Sequence, residues 1–129
     1  MATYSEALIS SVDTCEWNHS PNDFGKPRSK QRLATDPYMG AYVEHIIYRA
    51  GTVTYRHTHS CAHGIYVLSG TLLTNGREYK PGTMVWFPQG SIMEHGATER
   101  EDCEVLFFYT GVSVNRPFDI TYCPEEEEK

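Results

Sequence analysis

The chain has 129 residues, enough for one domain around one core and too few for two. Hydrophobic residues make up 40% of it, which argues against global disorder. A formal net charge of −6 and the lack of a Lys/Arg cluster argue against a nucleic-acid partner.

Part of that acidity is local. Glu125 to Glu128 sit together at the end of the sequence, so the body is close to neutral and its charge says little about a substrate. Cys15, Cys61, Cys103 and Cys123 form no CxxC pair. The first residues carry Glu6 and lack a basic stretch followed by a long apolar run, and no segment approaches the roughly 20 apolar residues of a membrane span. The expectation is a soluble, cytoplasmic protein with reduced thiols and no membrane partner.

In chain order, residues 1–35 show no clear periodicity, and 18–27 are dense in turn formers, so this region reads as an arm or lid laid over the body. From residue 38 the pattern is β throughout. Tyr42 to Tyr48 is β-branched and aromatic and ends at Ala50-Gly51, and Val53 to His59 follows. Then come Ile65 to Leu68, Thr71 to Leu73, a two-residue Asn75-Gly76 hairpin signal, and Arg77 to Tyr79. Thr83 to Phe87, Ser91 to Glu94 or His95, Cys103 to Tyr109 and Ile120 to Tyr122 complete the series. About eight short strands between Gly/Pro turns predict an all-β antiparallel sandwich or barrel. The organisation expected is an arm over 1–35, a β domain over 36–123 and a disordered acidic tail over 124–129.

Three of the six histidines fall within seven residues, at His57, His59 and His63. On a strand His57 and His59 point the same way, and His63 lies far enough on for the chain to turn and bring it back. Such a cluster suits a first-row transition metal. By the same parity Tyr55 shares the face of His57 and His59, which makes its hydroxyl a candidate for substrate contact.

These residues carry a resemblance. Gly51, His57, His59, His63 and Gly70 fall at the spacing G-x5-HxH-x3/4-E-x6-G of the first cupin motif, with His63 in the glutamate position. Gly82, Pro88 and Gly90 resemble the opening of the second, G-x5-PxG-x2-H-x3-N; its histidine position is Met93 here, with His95 two residues later. A shift of two keeps the side chain on the same face of a strand, so His95 can serve. The resemblance implies a single-domain cupin, a jelly-roll (RmlC-like) β-barrel with a divalent metal held by His57, His59, His63 and His95. Glu94 joins Tyr55 as a catalytic candidate, although parity turns it away from His95.

With a histidine in place of the glutamate, no ligand cancels the metal's charge, so anionic oxygen ligands are favoured in its open positions. Imidazoles fit Fe, Ni, Cu or Zn, with Mn less favoured. Because imidazole ligates only when deprotonated, the metal is expected to be lost as pH falls toward about 6 and below.

The run from His57 to Gly111 is similar to acetylacetone and 2,4′-dihydroxyacetophenone dioxygenases. This implies an Fe(II) dioxygenase that cleaves a carbon–carbon bond beside a ketone, with His57, His59 and His95 on the iron. The alternatives are a redox-silent isomerase, cyclase or decarboxylase using Zn, Ni or Mn, and a metal-dependent small-molecule sensor. A homodimer, with residues 1–35 exchanging across it, is the expectation from cupin analogy.

Overall fold

The computed structural model describes residues 6–111 and 120–122. Ten strands follow one another: β1 (Arg28–Thr35), β2 (Tyr42–Tyr48), β3 (His57–His59), β4 (His63–Ser69), β5 (Leu72–Thr74), β6 (Arg77–Tyr79), β7 (Met84–Phe87), β8 (His95–Ala97), β9 (Cys103–Tyr109) and β10 (Ile120–Tyr122). All their pairings are antiparallel. One sheet has the order β1-β2-β9-β4-β7. The three-stranded β6-β5-β8 and the β10-β3 pair are joined by bridges from Val53 to Gly96 and from His57 to Met93, so together they face the first sheet. This is the jelly-roll cupin barrel that the motifs imply. Among the described residues no helix is long and apolar enough to cross a membrane.

The clearest strand forms where the sequence alternates between a buried and a more exposed face. β9 alternates strictly, with Cys103, Val105, Phe107 and Tyr109 buried, and joins β2 to β4 at the centre of its sheet. With Ile46, Ile65, Val67, Leu72, Met93 and Ala97 these residues make the core. Each of the Val, Leu, Ile, Phe and Met side chains among them contributes ~1.5–3 kcal/mol on leaving water. The β5–β6 turn is made by Asn75 and Gly76, at φ 50° and 79°, the left-handed pair that suits a two-residue hairpin.

Three expectations about elements change, the first being that the strand predicted over Ser91 to Glu94 or His95 begins only at His95, as β8. β1 lies within the stretch read as an irregular arm, and it pairs with β2 from Arg28↔Tyr48 to Thr35↔Tyr42. The strand predicted over Val53 to His59 is regular only at His57–His59, because the chain bends at Arg56. The acidic tail and Cys123 lie outside the described residues.

Residues 6–27 pack on their own barrel. Gln31 Nε2 donates to the carbonyls of Val12 and Cys15 at 2.7 and 3.0 Å, and Asn18 bridges to Lys30. The Asn22 carboxamide oxygen accepts from the backbone of Phe24 and Lys26, closing a turn that carries Phe24 to the barrel mouth.

Candidate metal centre

His57 and His59 project into the barrel from β3, and His95 meets them from the start of β8. One ring nitrogen from each lies within 4.8 Å of the others. The rings of His57 sit 4.9 Å from His59 and 5.1 Å from His95, both edge to face. All three are buried.

Backbone geometry sets each ring. His57 Nδ1 donates to the Tyr55 carbonyl at 2.7 Å, which fixes the tautomer and leaves Nε2 as the electron-pair donor. His95 is clamped from both sides by one residue: Thr54 N donates to the His95 carbonyl at 3.0 Å, and His95 N donates to Thr54 Oγ1 at 3.1 Å. Gly96 makes that clamp possible. A Cβ there would stand 2.0 Å from the Thr52 carbonyl oxygen and 2.6 Å from Val53 Cα, so only glycine lets the 52–54 segment lie against β8.

Neither ring nitrogen of His59 or of His95 has a hydrogen-bond partner among the described residues, although both rings are buried. Orphaned buried nitrogens are costly, and an ion between the three rings would satisfy one of them on each ring. Protonation is also disfavoured. Burial holds His57 below the usual imidazole range, brings His59 to about 3 with help from His63 and His57, and keeps His95 well down. Three neutral imidazoles are the form a metal binds, and with no carboxylate in the group the donor set fits Fe, Ni, Cu or Zn.

His63 stands apart from this group. Its ring lies 4.3 Å from that of His59, yet it does not join the three-nitrogen cluster. It is stacked between Phe87 and Phe107, with centroids at 4.9 and 5.0 Å and planes 22° and 20° off parallel. Burial lowers it to about 4; the Cys61 backbone opposes this weakly, and neither ring nitrogen makes a hydrogen bond of ordinary geometry.

The two catalytic candidates lie elsewhere. Tyr55 is 41% exposed, packs edge-on against Phe24 and sits under the Lys26 ammonium, because the bend at Arg56 breaks its parity with His57. Thr54 takes the inward position instead. Glu94 is half-buried, its backbone engaged by Asn75 and Thr74, and it does not line the cavity. Met84 and Trp86 are about half exposed on the outer face of β7. Cys61 is buried but stands outside the cluster.

The histidines open onto a cavity of about 230 Å³. Phe24 covers one side, its ring 5.1 Å from His57. Tyr48, 5.5 Å from His95, and Phe107 form the inner wall. The far wall, from β1 and β2, carries Arg28, Lys30, Arg32 and Glu44. The β1 side chains were missed because the strand itself was missed; the alternation Arg28-Ser29-Lys30-Gln31-Arg32 is the signal that marks it.

The family model described as the ChrR cupin-like domain matches residues 5–113. The chain belongs to that family. No curated protein matches it. Among solved structures, this cupin is similar to a putative acetylacetone dioxygenase from Methylibium petroleiphilum PM1, with a TM-score of 0.75 and 12% identity over 95% of this chain and 93% of the other. It is similar to the polyketide cyclase RemF from Streptomyces resistomycificus, with a TM-score of 0.68 and 18% identity over 98% and 89%. It is also similar to the structure of Rhodobacter sphaeroides SigE in complex with the anti-sigma ChrR, with a TM-score of 0.62 and 16% identity over 77% and 51%. At these identities the likeness is one of fold.

Proposed function

We propose that this cupin is a metal-dependent enzyme that holds one divalent ion on His57, His59 and His95 and acts on a small oxygen-rich molecule. Iron is the favoured metal, and carbon–carbon cleavage of a β-diketone or hydroxyketone by O2 the favoured reaction. The observation that carries this reading is the convergence of three neutral, buried imidazoles, those of His59 and His95 with unpartnered nitrogens, on one cavity.

Three protein ligands would leave room for two substrate oxygens and O2, whereas a fourth imidazole would take one of those positions. The stacking of His63 between two phenylalanines supports a packing role behind His59 rather than one as a ligand. When bound, iron supplies chelation of the substrate oxygens and reactivity toward O2. The chain's own groups do the rest. Tyr55 and Thr54 hold His57 and His95 through hydrogen bonds to the backbone or from it. Phe24 and Phe107 keep the cavity apolar beside the ligands, which strengthens electrostatic interactions there.

Elemental analysis of protein purified without added metal, followed by O2-electrode measurements with acetylacetone, tests this. The expected result is about one iron per chain and O2 uptake that matches diketone loss. Zinc or nickel with turnover in the absence of O2 would replace it with Lewis-acid isomerase, cyclase or decarboxylase chemistry. Saturable ligand binding without turnover would replace it with a sensor.

A further inference from the structure

The wall facing the histidines is unevenly neutralised. Arg28, Lys30 and Arg32 alternate along β1, so all three line the cavity. Two carboxylates, Glu44 and Asp23, line it with them. Buried Glu44 is shared by Lys30 at 3.3 Å and Arg32 at 2.8 Å. Arg32 also lies over the Tyr42 ring, 3.8 Å from its centroid, and donates to Thr35.

Arg28 differs. It makes no ion pair among the described residues, and its Nε donates only a long 3.4 Å bond to the Ser20 carbonyl. In register across from it is Tyr48, a cavity residue 5% exposed whose hydroxyl has no hydrogen-bond partner among the described residues. The same tyrosine ring touches His95. An unneutralised guanidinium and an unsatisfied phenol, on residues paired in register, therefore line the same cavity as the histidines. The buried Tyr48 hydroxyl is costly to leave without a partner, and a neutral diketone would leave both it and the guanidinium unpaired. A carboxylate satisfies both, accepting from the guanidinium fork and from the phenol.

We propose that the substrate of this site is an anion with two functional ends: chelating oxygens that face His57, His59 and His95, and a carboxylate a few bonds away that is held by Arg28 and the Tyr48 hydroxyl. This rests on the metal-centred reading for the first end only. Lys30 adds charge to the same wall, and Glu44 limits how much of it reaches the ligand.

Titration calorimetry with the zinc-loaded protein tests the pocket without turnover, using two diketones of one carbon skeleton. Succinylacetone carries a terminal carboxylate where butyrylacetone carries a methyl group. Wild-type protein is expected to bind succinylacetone about tenfold or more tightly than butyrylacetone, the scale of one charge-assisted hydrogen-bonded contact. Arg28→Gln removes most of that preference and leaves butyrylacetone within about twofold, while Tyr48→Phe removes a smaller part. Glu44→Gln, which releases Lys30 and Arg32, increases it.

Raising the salt concentration weakens succinylacetone binding selectively in the unmutated protein, a readout that needs no variant to fold. Succinylacetone binding to the metal-free protein that Arg28→Gln abolishes would support the pocket even where the oxygenase reading fails. Equal affinity for the two diketones, or an Arg28→Gln variant that weakens both alike, overturns it.

Discussion

The Nδ1 of His57 is tied to the carbonyl oxygen of Tyr55 at 2.7 Å, two residues back along the chain. The side chain of Tyr55 meanwhile lies outside the cavity. Tyr55 thus serves the site through its main chain, and the two contributions separate by mutation. Tyr55→Phe is expected to leave metal affinity within about threefold of wild type, since the carbonyl stays in place. His57→Ala removes a ligand and lowers affinity by more than ~100-fold, beyond the 10–100-fold typical of losing a supporting group. Competition with a chromogenic chelator measures both. Metal loss in Tyr55→Phe equal to that in His57→Ala would return the hydroxyl to the site.

His63 gives a second separation. Stacked between Phe87 and Phe107 it contributes packing, so His63→Ala is expected to cost ~2–4 kcal/mol by opening a cavity. The variant still binds one metal ion per chain, whereas His59→Ala does not. Thermal melts and elemental analysis of the two variants read these effects. Loss of metal from both would make His63 a fourth ligand.

The depressed histidines make the metal-free protein acid-labile in a defined window. In the unfolded chain these rings protonate near 6.5; in the fold His59 waits until about 3 and His63 until about 4. Between those values the unfolded state binds more protons, so stability falls as pH falls. The slope is ~1.4 kcal/mol per pH unit for each ring fully in its window, and nearly twice that for the pair around pH 5. The denaturant midpoint of metal-free protein should therefore drop sharply from pH 7 to pH 5, and saturating zinc should flatten the drop. A midpoint unchanged over this range without metal would show that the rings are already protonated or exposed.

The central strands and the Asn75-Gly76 hairpin were legible in the sequence because β-branched and aromatic runs, and a turn that needs two positive φ angles, are local signals. The His57-x-His59 pair was legible because strand parity alone makes the two co-facing. β1 was not, because neither of its faces is apolar: Arg28, Lys30 and Arg32 face a polar cavity, while Ser29 and Gln31 face the arm. A strand between two polar surroundings gives no hydrophobic alternation to read. Tyr55 was misplaced because parity holds only while a strand stays regular, and the bend at Arg56 lies between it and His57. His63 could not be resolved by spacing, since its position depends on Phe87 and Phe107 from β7 and β9.

Gly96 shows how closely the fold and the site are joined. It follows His95 directly, and the space for a Cβ is filled by the backbone of Thr52 and Val53, which cannot swing away as a side chain tip would. Gly96→Ala must push the 52–54 segment off β8, breaking both hydrogen bonds between Thr54 and His95. The expected result is a loss of ~2 kcal/mol or more together with metal affinity weakened by at least ~10-fold. Thr54→Val provides the milder comparison: it keeps the backbone bond, removes the acceptor for His95 N, and should cost ~1–3 kcal/mol with a smaller loss of metal. Chemical denaturation with and without zinc distinguishes the two terms. If Gly96→Ala destabilised the protein but bound metal as tightly as wild type, the Thr54 clamp would not be what positions His95.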